Sequence, residues 1–167
     1  MASRLDAAQQ FLALKRVAFV GLSQDPKDFS RAVFRALAAA GHEWVPVHPS
    51  AQEIEGRRCF ARLTEVTPPV EGAFLMVSPA HAGAVVQDAI AAGVKNLWFH
   101  RGGGAGVSTP ELLAQCREKG ITVVDGLCPF MALPRANWVH RLHGYFRRRS
   151  LDRQDREVKL LTPGQSG

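Results

Sequence analysis

No stretch of the 167-residue sequence approaches the roughly 18 apolar residues that a membrane-spanning helix requires. Cysteine is scarce: Cys59, Cys116 and Cys128 are an odd number, which excludes a fully paired disulfide scaffold and fits a reduced, cytoplasmic setting. No C-x-x-C or H-x-x-x-H spacing occurs, and His140 with His143 is a lone pair, so no metal ligand is assigned. The G-x-G-x-x-G fingerprint is missing, since Gly21 is followed by Leu22, Ser23 and Gln24 and no second glycine comes before Gly41. The G-x-S-x-G elbow of serine hydrolases is missing too. These gaps count against a standard NAD site and a Ser-His-Asp enzyme, and no catalytic residue is assigned. The opening "MASRLDAAQQFLALKR" has its apolar residues at helical spacing, without the uninterrupted run of a signal peptide.

What is present describes an ordinary globular chain, 46% hydrophobic and 22% charged. The length suits one compact domain with an appendage. The formal net charge of +6 invites a polyanion-binding reading until it is divided. Through Pro134 there are 13 Lys+Arg against 12 Asp+Glu, whereas Arg135 to Gly167 holds 8 against 3. A nearly neutral domain over residues 1–134 and a basic tail over 135–167 are therefore expected.

Val17 to Gly21 is a short apolar, β-branched run of the kind buried on both faces in a parallel sheet. After the polar loop "LSQDPKDF", Ser30 is read as the N-cap of a helix through Ala40 with Val33, Phe34 and Leu37 as its apolar stripe and Gly41 as its stop. Glu43 to Val47 is the next strand. Gly72 to Val77, Asn96 to Phe99 and Ile121 to Val124 follow as strands, with helices at Pro79 to Ala92 and Pro110 to Lys119. Thr109 and Pro110 form a cap-and-first-residue pair for the latter. A short extended piece around Arg57 to Phe60 and a one-turn helix near Leu63 fill the weaker stretch. Alternating strands and helices predict an α/β fold, a doubly wound five-stranded parallel sheet. Ala136 to Arg149 predicts a C-terminal amphipathic helix with a basic far side.

In such a sheet the ligand lies beyond the carboxyl ends of the strands, and the first strand-to-helix loop takes phosphate on backbone amides and the helix dipole. That loop offers Ser23 and Ser30 hydroxyls and the cations Lys27 and Arg31, which read either as anion partners or as a solvated face. No acidic residue ends the second strand, where Val47, His48 and Pro49 stand.

The string "VAFVGLSQDPKDFSRAVFRALAAAGHEWVPVHP", with G-x-S-x-D-P after the first strand and V-x-P after the second, resembles the small Rossmann-like CoA-binding domain proteins. "GRRCF", "AFLMV" before Ser78-Pro79, "AGVKNLWF" and "GITVVDGLCP" continue the likeness from about Leu14 to Met131. A similar module forms the nucleotide-binding part of succinyl-CoA synthetase and of NADH-sensing repressors. The resemblance implies CoA or an acyl-CoA as ligand, its pyrophosphate over Gly21, Leu22 and Ser23, with Lys27 or Arg31 as charge partners. The adenine and ribose then lie near His48 and Pro49, while Ser78, Pro79 and His100 flank the nucleotide or the pantetheine arm.

Other features stay open. Gly102, Gly103, Gly104 and Gly106 read as an anion-binding nest or as a flexible connection. His100 ends a strand where acid–base chemistry is often placed, without a carboxylate neighbour in sequence. Cys128 is placed for a mixed disulfide with a pantetheine thiol, or is an inert core thiol. The tail arginines, Arg147, Arg148 and Arg149, fit a helix docked through its apolar stripe, on the domain or on a second copy as a homodimer, better than they fit nucleic acid. The reading is a soluble domain that holds a small-molecule nucleotide ligand without catalytic apparatus of its own. The alternatives are a nucleotide-dependent or redox-regulatory enzyme on the same fold, and a docking module driven by the tail.

Overall fold

The structure, a computed structural model, describes residues 4–100 and 107–132. Within them five strands form one parallel sheet: β1 (Arg16–Val20), β2 (Glu43–Val47), β5 (Gly72–Leu75), β6 (Asn96–Phe99) and β7 (Thr122–Asp125), in the order β2-β1-β5-β6-β7. A small antiparallel hairpin, β3 (Glu53–Ile54) and β4 (Arg57–Arg58), follows β2. The helices are α1 (Arg4–Leu12), α2 (Phe29–Ala38), α3 (Pro79–Ala91), α4 (Pro110–Glu118) and the short α5 (Pro129–Ala132). A single 3-10 turn covers Leu63–Glu65. The expected α/β, doubly wound, five-stranded architecture is what the structure has. The expected C-terminal helix lies outside the described residues, and no helix among the described residues is long and apolar enough to cross a membrane.

The winding follows from chirality. The chain steps from β1 to β2 in one direction and from β5 through β6 to β7 in the other, so right-handed crossovers place α2 on one face and α3 and α4 on the opposite one. Side chains alternate along each strand, and the parallel register brings like positions together. One face is aliphatic: Ala18, Val20, Val45, Val47, Ala73, Leu75, Leu97 and Phe99 pack with Ala82, Val86 and Ala89 of α3 and Cys116 of α4. The other face is aromatic. Phe19, Trp44, Phe74 and Trp98 line it, Phe34 of α2 meets Phe19 edge-on at 5.5 Å, and Phe11 of α1 meets Trp98 edge-on at 5.4 Å. Such T-shaped pairs set ring edges against ring faces and each contributes about 1 kcal/mol beyond area burial.

β2 is an edge strand, and its content suits that position. Glu43 and Val47 bond to β1 through their backbones, so Trp44 and Pro46 turn their peptide groups outward. Pro46 has no N–H to leave unpaired there. Outside it, the Phe60 N–H donates to the Pro46 carbonyl and the His48 N–H to the Phe60 carbonyl, which continues the sheet by one bridge.

The hairpin turns on Glu55 (φ 54°) and Gly56 (φ 68°), both in the left-handed region that a two-residue turn of the primed type demands. One sequence expectation is corrected at α2. The N-cap is Asp28, not Ser30: the Asp28 carboxylate accepts the Ser30 N–H at 2.8 Å, and the helix ends at Ala38 rather than Ala40. A carboxylate at this position both caps and meets the positive end of the helix dipole. For α4 the expected cap is present, with the Thr109 hydroxyl accepting the Leu112 N–H at 3.3 Å.

Candidate functional site

β1 and β5 are adjacent, and their crossovers leave in opposite directions, so the crevice between their carboxyl ends is the switch point of the sheet. Gly21 sits on its lip with φ +92°. A Cβ there would lie 2.8 Å from the Met76 carbonyl carbon and strike its oxygen. Glycine is thus required twice, by the turn and by the close approach of the β1 and β5 chain ends.

The loop that follows is wired by its own side chains. The Ser23 N–H donates to the Ser30 hydroxyl at 3.0 Å, the Asp25 N–H to the Ser23 hydroxyl at 3.1 Å, and the Lys27 N–H to the Asp25 carboxylate at 2.9 Å. Leu22 fastens the loop from below, its side chain fully buried. Both serine hydroxyls therefore accept a backbone N–H and keep an O–H to donate.

The two cations of the loop differ in kind. Arg31 is 9% exposed; its Nη1 donates to the Ser23 carbonyl at 3.0 Å and the Gln24 carbonyl at 3.3 Å, and its Nε donates to Glu55 at 2.6 Å. Arg35, one turn further along α2, reaches the same Glu55 oxygen at 2.6 Å. The hydrogen bond from Arg35, with a further contribution from Arg31, holds the Glu55 carboxyl below its usual range. Arg31 thus ties the loop to the hairpin. Lys27 is exposed, and among the described residues no carboxylate lies within ion-pair distance of it. It is the cation left to meet an anion at the start of α2.

The turn after β2 is drawn to this loop by Gln24, whose amide donates to the Ser50 hydroxyl at 3.1 Å. His48 Nδ1 accepts the N–H groups of Ser50 (3.2 Å) and Ala51 (3.1 Å), which leaves Nε2 as the protonated, donating nitrogen of the neutral ring. His48 and Pro49 are thus brought beside the first loop.

Ser78 and Pro79 open α3, on the aliphatic side. Ser78 stands at the N-cap of α3 without a capping hydrogen bond from its side chain; its hydroxyl lies 2.7 Å from His81 Nδ1. His81, three residues after Ser78 at the opening of the helix, carries a signal in its spacing from that serine. His100, by contrast, belongs to the aromatic side. Its N–H donates to the Leu75 carbonyl, and its ring lies 5.7 Å from Phe74 and 6.3 Å from Phe29 at the head of α2. Burial pushes its pKa below the usual value and keeps it neutral. Ser78 follows Val77, whose Cγ1 lies 3.0 Å from where a Cβ on Gly21 would stand, and His100 packs on Phe29 at the head of α2.

The glycines between 102 and 106 lie outside the described residues. Cys59, Cys116 and Cys128 are all free thiols; burial pushes the first two up, while Cys128 is half-buried. At the end of β7, the Asp125 carboxylate accepts the Ser108 hydroxyl.

A family profile described as a CoA binding domain matches residues 15–134. An uncharacterized protein of Bacillus subtilis (strain 168), YneT, is 29% identical over 114 residues, which is 68% of this chain and 82% of that one. Among solved structures, a hypothetical protein from Pyrococcus horikoshii OT3 superposes with a TM-score of 0.70 at 25% identity, covering 78% of this chain and 89% of that one. Acetyl-coenzyme A synthetase 1 of Ca. Korarchaeum cryptofilum superposes with a TM-score of 0.61 at 26% identity, covering 69% of this chain but 26% of that one.

Proposed function

The chain belongs to the CoA-binding domain family, and on that premise we propose that it holds CoA or an acyl-CoA at the switch point as a sensor, carrier or partner subunit, without catalysing a reaction alone. The observation that carries this reading is the first loop. It is pre-folded by Ser23, Ser30 and Arg31, lies at the N-terminus of α2, and leaves one unpaired cation, Lys27. Pre-ordering lowers the entropy lost on binding, and the helix dipole with Lys27 favours a pyrophosphate. The match to the acetyl-coenzyme A synthetase and a complex of that enzyme with phosphate and ADP support the same choice of ligand.

The end of β2 supports CoA over NAD. NAD sites place a carboxylate there to accept from free ribose hydroxyls. Here His48 offers a donor instead, suited to a ribose that carries a phosphate, as the ribose of CoA does. His100, neutral and packed between Phe29 and Phe74, closes the crevice from the aromatic side rather than moving protons. Three free thiols accord with a cytoplasmic protein.

Calorimetric titration with CoA, acetyl-CoA, NAD and ATP tests the reading. CoA or its thioester is expected to bind in the micromolar range with NAD at least tenfold weaker. Absence of CoA binding at high micromolar concentration overturns it.

A further inference from the structure

We propose that the groove along the outer edge of β2 is a second ligand site, one that takes an organic oxyanion, a carboxylate or a phosphate monoester on a flat apolar body. A cavity of about 360 Å³ opens there, floored by β2 from Glu43 to Pro46 and walled by Arg57, Arg58, Phe60 and the Thr67–Pro68 turn. It begins at the amino end of the strand, whereas the switch point lies beyond its carboxyl end.

Three guanidinium groups border the cavity, and their partners sort them. Arg16 is fully engaged: it donates to the Pro68 carbonyl at 3.0 Å, to the Thr67 carbonyl at 3.4 Å, and to Glu43 in a close ion pair. That pair cancels the carboxylate that lines the cavity. Arg57 donates one Nη1 hydrogen bond to the Trp44 carbonyl at 3.3 Å and lies over the Phe34 ring at 5.7 Å, so its guanidinium is held in place with donors to spare. Arg58 lies over the Phe60 ring at 5.0 Å. Among the described residues, no carboxylate lies within ion-pair distance of Arg57 or Arg58. Two uncancelled, ring-supported guanidiniums therefore face a cavity whose remaining surface includes Pro46, Phe60 and Pro68.

The edge itself argues against an added peptide strand as occupant. Pro46 has no N–H to give, the Pro46 carbonyl is taken by the Phe60 N–H, and the Trp44 carbonyl by Arg57. Recognition must come from side chains, which suits a small anion. A bidentate fork on the charged head and apolar contact with the body are what these walls provide.

The test is a backbone-amide NMR titration of the full chain with inorganic phosphate, phenyl phosphate and benzoate, with chloride at matched ionic strength as reference. Saturable shifts are expected at Trp44, Arg57, Arg58 and Phe60, with phenyl phosphate binding several-fold tighter than inorganic phosphate because its ring covers the apolar wall. Comparison of phenyl phosphate with benzoate identifies which oxyanion the forks prefer. Arg58→Gln should weaken phenyl phosphate about tenfold, the scale of one charge-assisted contact, and leave Tm unchanged because the side chain is exposed. Shifts that never saturate, or an unchanged affinity in Arg58→Gln, overturn the site. Shifts confined to Gly21 to Lys27 overturn it as well, but leave the CoA reading standing.

Discussion

Replacing Arg31 by Ala, and separately Lys27 by Ala, divides stability from binding in a way that sequence alone did not suggest. Arg31→Ala removes two hydrogen bonds to the Ser23 and Gln24 carbonyls and the contact with Glu55. The Arg31 and Glu55 side chains are only 11% and 18% exposed, so the loss is felt, although water can reach the freed carbonyls and Arg35 still holds Glu55. Three partly buried, charge-assisted contacts with that relief suggest a loss of about 2–3 kcal/mol. At about 3 °C per kcal/mol for a chain of this size, Tm should fall by about 6–9 °C. Lys27→Ala touches nothing structural, and its stability should change by less than about 0.5 kcal/mol. CoA affinity should nonetheless drop about tenfold, the scale of one charge-assisted contact. Differential scanning calorimetry and calorimetric titration on both variants read the four quantities. An Arg31→Ala protein that melts with the parent yet no longer binds CoA refutes the assignment of Arg31 as a tie and makes it a ligand contact. The pH dependence supplies a cross-check. The Glu55 carboxyl has a folded pKa below its unfolded 4.5, so its contribution is complete above pH 4.5 and is lost as pH falls through the lower folded value. Glu55→Gln should remove that part of the acid sensitivity.

Gly21→Ala combines an unfavourable φ with a strike on the Met76 carbonyl, and should cost about 2–4 kcal/mol in urea denaturation while abolishing CoA binding. Burial depresses the His100 pKa below 6.5, so the unfolded chain takes up the proton first. Stability should be complete above pH 6.5 and decline as pH falls toward the folded value; His100→Gln should flatten that segment of the curve, and an unchanged slope refutes the assignment. Removing residues 135–167 should leave CoA affinity intact in calorimetric titration; loss of CoA binding instead would place the tail in the site.

Regular elements were legible because their signals are local. Asn96–Phe99 needed only a short apolar run between a glycine-ended helix and a glycine-rich sequence, and Pro110–Glu118 needed only Thr109 and Pro110. The missed cap shows where local signals fail. Asp28 and Ser30 are both good caps two residues apart, and the choice was made by Ser23, whose N–H claims the Ser30 hydroxyl. The turn at Glu55 was hidden because a glutamate rarely adopts positive φ; two arginines of α2 hold it there from 24 and 20 residues away in the chain. The same tertiary contact explains why Arg31 read as a free cation. Of the expected site, Gly21, Ser23, Lys27, Ser30, His48 and Pro49 gather around one loop, Ser78 follows the Val77 that abuts Gly21, and His100 meets the loop's helix through Phe29.

The shared carboxylate of Glu55 has a kinetic side. Because it is gripped by Arg31, and Arg31 in turn grips the carbonyls of Ser23 and Gln24, the hairpin cannot swing open without slackening the first loop. Amide protons in the two segments should therefore share one opening event and exchange with solvent together, and independent exchange rates in the two segments would refute that coupling. The loop inherits its lifetime from a turn far along the chain.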